Sequence, residues 1–143
     1  MIQACRELGV AFAPFSPLGR GMFTDKLPNP AEFSSNDFRN HTPRFNEPNF
    51  SHNVVYIEKF REYCQSRGWL VSAAALAWIL AQGEHLIAIP GTRSAAHLAQ
   101  DVVGSDLELS AADLVEIEKI LPVGFAHGDR YSEAQLPGAE RYC

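Results

Sequence analysis

Only two short stretches of this chain read as strands, and that shortage constrains its fold more than any other feature. Val10 to Phe15 is a continuous apolar run bounded by Gly9 and Ser16-Pro17, the pattern of a strand buried on both faces, and Leu86 to Ile89 is the second. Pro14 marks the end of the first ladder. Helical patterns lie between and after the two strands, so the alternation predicts an α/β chain with parallel strands and right-handed crossovers. Two strands are too few to form an adequate sheet. No repeat at solenoid spacing supplies the missing ones.

The helical patterns have start and stop signals. Ile2, Cys5 and Leu8 recur at helical spacing before Gly9. Asn53 is expected to cap a helix running to about Arg67, with Val54, Ile57, Phe60 and Cys64 on its buried face and Gly68 as its stop. Ser72 is expected to cap a second helix, Ala73 to Gln82, apolar almost all round and therefore buried. Ser94 caps a third, and Ser110-Ala111-Ala112-Asp113 opens a last one with Leu114, Ile117 and Leu121 as its stripe. Asp113, Glu116, Glu118 and Lys119 read as a solvated face with capping duties.

Residues 26–52 break this rhythm with Pro28, Pro30, Pro43 and Pro48 set among Phe33, Phe38, Phe45 and Phe50. So long a loop is usually functional or disordered, and its aromatics favour an ordered segment anchored to the surface, a possible flap over a cofactor or substrate.

Each strand is followed by a glycine-bearing segment, Ser16-Pro17-Leu18-Gly19-Arg20-Gly21 and Ile89-Pro90-Gly91-Thr92-Arg93-Ser94. Taken singly, each marks a tight turn. Together, with an arginine in each, they read as a split phosphate site: a strand-to-helix turn presents backbone N–H groups and a positive dipole end, and glycine admits close approach.

The formal net charge of −5 and the absence of clustered Lys/Arg exclude a nucleic-acid or anionic-membrane surface. No run is long enough to span a bilayer. Cys5, Cys64 and Cys143 are widely spaced, which suggests neither disulfides nor zinc and fits a reducing cytoplasm. His41, His52, His85, His97 and His127 lack metal-ligand spacing, and Tyr56, Tyr63, Tyr131 and Tyr142 read as packing or terminal residues. No metal site is expected. On residues alone, a small α/β domain binding a phosphorylated ligand is one reading.

Three motifs in order carry a closer resemblance: Ala11-Phe12-Ala13-Pro14-Phe15-Ser16-Pro17-Leu18-Gly19-Arg20-Gly21, Ala75-Leu76-Ala77-Trp78-Ile79-Leu80-Ala81-Gln82-Gly83, and Ile87-Ala88-Ile89-Pro90-Gly91-Thr92-Arg93. With Gly128-Asp129-Arg130-Tyr131 near the end, the whole of 1–143 resembles the C-terminal half of an aldo-keto reductase. That resemblance implies a partial (β/α)8 TIM barrel, supplying the last two strand–helix units plus a C-terminal helix and tail of a fold of about 250 residues or more. It implies an NADP(H)-dependent oxidoreductase that reduces aldehydes or ketones to alcohols. The family's catalytic Asp, Tyr, Lys and His lie in the N-terminal half, so no catalytic residue is placed on this chain and the isolated chain is expected to be inactive. A truncated product, an internal start taken as Met1 and one piece of a split enzyme are three origins that fit, the first two favoured by the mid-helix start. A non-catalytic remnant serving as a nucleotide-binding or protein-interaction module is the alternative.

The resemblance also implies the cofactor-binding residues. Phe15 matches the aromatic under the nicotinamide, and Ser16, Leu18, Gly19, Arg20 and Gly21 match the pyrophosphate-side loop. Gly91, Thr92 and Arg93 match the segment around the adenosine 2′-phosphate. A guanidinium that pairs two phosphate oxygens and a hydroxyl that adds a third bond suit that task. The family then commonly reads His/Arg-Leu-x-Glu-Asn, whereas this chain reads His97-Leu98-Ala99-Gln100-Asp101. Gln100 replaces a carboxylate, and Asp101 replaces an amide that contacts the adenine; a carboxylate accepts hydrogen bonds but donates none at neutral pH. NADP(H) and a carbonyl substrate are the implied partners once the N-terminal half is present.

Overall fold

A computed structural model describes residues 1–137, so the readings of Tyr142 and Cys143 lie outside the described residues. The described residues contain five α-helices: α1 Ile2–Glu7, α2 Asn49–Ser66, α3 Val71–Ala81, α4 Ala95–Asp106 and α5 Ala111–Ile120. The two expected strands are reduced to one parallel bridge between Phe12 and Leu86. Its bonds run from Phe12 N–H to His85 O at 2.8 Å and from Ile87 N–H to Phe12 O at 3.0 Å. The segments are therefore parallel, as the pattern requires, but they are not buried on both faces: Val10, Ile87 and Ile89 remain 50%, 52% and 48% exposed. The cause is the missing neighbours. A lone pair of strands has no further ladder to extend it and no second layer to cover it.

The core lies between α2, α3 and α5. Ile57, Phe60 and Cys64 form one face of α2, joined by Val71, Ala74 and Ala75 of α3 and Ile117 of α5. Every α3 residue from Val71 to Ala77 is buried, in keeping with its apolar pattern. α4 lies against α3 at Gly104, where an added Cβ would stand 2.8 Å from Ala73 O and 2.9 Å from Leu76 Cβ. The glycine at that crossing is a packing requirement.

Three boundary and surface readings are corrected. α2 begins at Asn49 behind Pro48, and Asn53 is a buried helical residue whose Nδ2 donates to Arg44 O and His127 O. Leu70, not Ser72, is the N-cap of α3; Asp25 supplies the cap through Oδ1, which accepts from Val71 N–H at 3.1 Å. An acceptor brought from a distant loop displaces the local one, a substitution no local pattern reports. Asp113 is only 3% exposed instead of solvated. It closes the capping box with Ser110 and also accepts from Tyr63 OH at 2.7 Å and faces Arg67 at 2.9 Å, tying α5 to α2.

Residues 26–52 contain three 3₁₀ turns, Pro30–Glu32, Phe38–His41 and Pro43–Phe45. Phe33 and Phe50 pack around the buried Phe45, whose cluster includes Met22 and Ile57. The segment before the end of the described chain is bound to this loop. Arg44 Nε donates to Gly128 O at 3.1 Å, and His127 N–H donates to Asn53 Oδ1 at 2.7 Å.

Candidate functional site

The first glycine segment owes its shape to an unusual run of left-handed residues. Ser16, Gly19, Arg20 and Gly21 have φ of 51°, 57°, 60° and 98°. Glycine takes this conformation freely, but Ser16 and Arg20 do so at a cost that surrounding contacts must offset. For Arg20 those contacts are visible: Nη1 donates to Thr42 Oγ1 at 3.2 Å and to Arg130 O at 2.9 Å. Its guanidinium also lies 4.8 Å from the centroid of Phe38 and 5.0 Å from that of Tyr131. Arg20 thus holds the first glycine segment, the 26–52 loop and the C-terminal segment together.

The second segment is less self-satisfied. Ser94 N–H donates to Thr92 Oγ1 at 3.2 Å, while the N–H groups of Gly91, Thr92 and Arg93 make no hydrogen bond among the described residues. A Cβ added at Gly91 would meet nothing within 4 Å, so the backbone there is open to close approach. The Arg93 side chain has no ion-pair partner among the described residues either. Ser94 Oγ, accepting from His97 N–H at 3.3 Å, starts α4 as its pattern predicted.

Folding brings the two segments to one cleft of about 1150 Å³. Ser16, Leu18, Arg20 and Gly21 line it from one side and Gly91, Thr92, Arg93, Gln100 and Asp101 from the other, so nine of the eleven residues singled out in the sequence share a single depression. The other two, Phe15 and Gly19, line an adjoining pocket of about 290 Å³, where Arg130 lies 5.7 Å from the Phe15 ring centroid. Ser16, Pro17 and Arg20 border both cavities.

Several lining residues were not legible as site residues. Asp25, Lys26 and Arg39 enter from the loop after the first glycine segment, and Ser72 comes from α3. Arg39 is engaged, held by Asp37 at 2.7 Å and lying 3.9 Å from the Phe33 centroid; its hydrogen bonds hold the Asp37 carboxyl at about 2. Lys26, by contrast, presents an exposed ammonium group to the cleft without an ion pair among the described residues. Its position beyond Gly21 is a signal only once the loop is known to fold back.

Two polar residues stand on the inner wall. Asp101, 6% exposed, and Ser72, 3% exposed, both line the cleft, and neither has a side-chain oxygen that is both buried and without a partner, so both open onto the cleft's solvent. The cleft therefore combines a cationic rim at Lys26 and Arg93 with the polar side chains of Ser72 and Asp101 inside. Among the described residues no cluster of three or more His, Cys, Asp or Glu side chains has the geometry to hold a metal ion. No described helix is long and apolar enough to cross a membrane.

Residues 1–122 match the model of the Aldo/keto reductase family, and the chain belongs to that family. It is 32% identical over 130 residues to "Aldo-keto reductase str7" of Strobilurus tenacellus, covering 91% of this chain and 39% of that protein. It is 33% identical over 138 residues to an aldo-keto reductase of Gibberella moniliformis, covering 95% and 42%. To "Aldo-keto reductase yakc [NADP(+)]" of Schizosaccharomyces pombe it is 32% identical over 139 residues, covering 97% and 40%. The chain thus spans about two fifths of the length of these relatives. The structure of the glycerol dehydrogenase AKR11B4 from Gluconobacter oxydans superposes with a TM-score of 0.75 at 25% identity, over 85% of this chain and 37% of that one. The fold is accordingly part of an aldo-keto reductase barrel, mostly helical as it stands.

Proposed function

We propose that this chain is the cofactor-binding portion of an NADP-dependent aldo-keto reductase, holding the adenosine 2′-phosphate and pyrophosphate of NADP(H). The observation that carries the reading is the convergence of the two glycine segments on one cleft, with the Arg93 guanidinium and three successive backbone N–H groups unpaired at its rim. The donor set suits a phosphate: a bidentate cation, a hydroxyl at Thr92 and open backbone amides. The relative whose name specifies NADP(+) supports the choice of cofactor.

In this reading Thr92 and Arg93 hold the 2′-phosphate, and Ser16, Leu18, Gly19, Arg20 and Gly21 frame the pyrophosphate. Arg20 uses Nη1 to hold the loop, which leaves Nε and Nη2 for an oxyanion. Phe15, 49% exposed, offers its ring to the nicotinamide. In the complete enzyme the bound cofactor supplies hydride to an aldehyde or ketone. Among the described residues no general acid stands beside that position, a loss that alone costs about 10²–10⁴-fold in rate, and the chain by itself is expected to turn over no carbonyl substrate measurably. The apolar side chains Val10, Ile87, Ile89, Leu98 and Val102, all about half exposed, are surface for the remainder of the barrel.

The test is cofactor discrimination. A hydrogen bond to a charged group contributes roughly 1.5–3 kcal/mol, so Arg93→Ala is expected to weaken NADPH binding about ten- to a hundredfold and to leave NADH binding unchanged. Equal losses for both dinucleotides, or an unchanged NADPH affinity, would overturn the assignment.

A further inference from the structure

The smaller pocket beside Phe15 has a lining that cofactor binding does not use. Its floor is apolar: Met22, Phe45 and Ile57 are 8%, 4% and 1% exposed, and the partly buried Phe23 and Phe125 pack against them. Its charged walls are all of one sign. Arg20, Arg44 and Arg130 border it, and among the described residues that line it there is no Asp or Glu. The chain carries 12 Lys and Arg against 17 Asp and Glu, so three arginines around one small cavity run against its overall charge. A cavity walled by one sign of charge over a low-dielectric floor focuses its field on a ligand of the opposite sign.

The fold positions these arginines. Arg44 Nε donates to Gly128 O at 3.1 Å, Arg20 Nη1 donates to Arg130 O at 2.9 Å, and the Arg130 guanidinium lies 5.7 Å from the Phe15 ring centroid. Asn53, the buried polar residue of the lining, is already engaged: its Nδ2 donates to Arg44 O and His127 O, and its Oδ1 accepts from His127 N–H. An uncharged ligand therefore finds little to recognise beyond the apolar floor, whereas a carboxylate meets guanidinium groups whose planar fork matches it. At about 290 Å³ the pocket lies just under the roughly 300–1,000 Å³ of sites that take drug-sized ligands, which suits a single ring.

We propose that this pocket receives a one-ring carbonyl substrate that bears a carboxylate, its ring on the floor of Met22, Phe45 and Ile57 and its carboxylate held by Arg44 and Arg130. This rests on the cofactor reading: with the nicotinamide on Phe15, the pocket stands beside the reacting end of the cofactor. Arg20 borders both cavities and belongs to the wall between cofactor and substrate. Aldehydes and ketones without a negative charge leave the cationic wall unused, so the pocket selects the acidic ones.

The experiment titrates the 143-residue chain, in saturating NADP+, with 4-(hydroxymethyl)benzoate and with its methyl ester. The benzoate is the reduced form of a one-ring aldehyde acid, and neither probe has an aldehyde to condense with lysine. It is expected to bind about tenfold more tightly than the ester, as befits a hydrogen bond between charged groups, and to move the amides of Met22, Phe45 and Phe125. Arg130→Gln is expected to cut that preference to about threefold or less while leaving the ester's affinity unchanged. Equal binding of the two probes by the unaltered chain overturns the carboxylate assignment, and this comparison depends on no variant folding. Displacement of bound NADP+ by the benzoate also overturns it, because the arginines would then serve the cofactor's phosphates. Amide shifts at Thr92 and Arg93 on adding NADP+ report the cofactor reading separately. Their absence overturns that reading and the substrate role that rests on it, whereas equal probe binding with those shifts present overturns the pocket's selectivity alone.

Discussion

Asp113→Ala tests the packing that holds the cleft's supporting helices in place. Asp113 is 3% exposed and accepts from Ser110 N–H at 2.9 Å, Ser110 Oγ at 2.6 Å and Tyr63 OH at 2.7 Å. Loss of the capping box costs about 1 kcal/mol. Leaving the Tyr63 hydroxyl without its acceptor costs about 1–2 kcal/mol more. Arg67 also faces the carboxylate, but its side chain is 46% exposed, so solvent screening reduces its share to a few tenths of a kcal/mol at most. The sum is about 2–3 kcal/mol. With a urea slope of about 2 kcal/mol per molar, the unfolding midpoint should fall by roughly 1–1.5 M. A double-mutant cycle with Tyr63→Phe should return a coupling of about 1 kcal/mol. A midpoint shift below about 0.3 M at an unchanged slope would refute the reasoning, because it would mean that α5 is held without this junction.

The same junction sets a pH window. Hydrogen bonds from Ser110 and Tyr63 lower the Asp113 pKa, so its contribution is present above the ordinary carboxylate range and lost as pH falls through its lowered value. Burial, and then the bond to Asp113, raise the Tyr63 pKa to about 12, so its contribution is complete below the ordinary tyrosine range and lost as pH rises through about 12. Urea midpoints measured against pH should flatten on the acid limb in Asp113→Ala and on the alkaline limb in Tyr63→Phe; unchanged limbs would contradict the assignment. At Arg20, with φ 60° and ψ 35°, both Arg20→Ala and Arg20→Gly lose the bonds to Thr42 and Arg130, but only glycine relieves the left-handed strain. Arg20→Gly should therefore be about 1 kcal/mol more stable than Arg20→Ala, with both cleaved faster than the parent within residues 26–52 on limited proteolysis. An alanine variant as stable as the glycine one would show that the turn carries no strain.

The parts of this architecture that depend on neighbours in sequence were legible. Ser94 and the Ser110–Asp113 pair cap their helices through bonds of three residues' span, and the almost wholly apolar content of α3 foretold its burial. What depends on distant residues was not. Asp25 replaces a local cap on α3 from 46 residues away, and Asn53 serves Arg44 O and His127 O from inside a helix. Asp113 looked like a surface carboxylate because its partners, Tyr63 on α2 and Arg67 at that helix's C-terminal end, lie far from it in sequence. The strands failed for a complementary reason: their pattern anticipates neighbouring strands, and none is present among the described residues. For the cleft, motif and resemblance together selected residues that folding unites, but Lys26 and Ser72 became site residues only through the return of the loop and the crossing of α3 with α4.

The most direct test of the central claim is amide chemical-shift mapping of the isotopically labelled chain titrated with NADP+. The account expects the largest changes at Leu18, Gly21, Gly91, Thr92, Arg93 and Asp101, the residues of the shared cleft, and expects NAD+ to leave Thr92 and Arg93 unmoved. Changes centred on the stacked His52–His127 pair and the surrounding loop, or the same response at Thr92 and Arg93 to both dinucleotides, would contradict it.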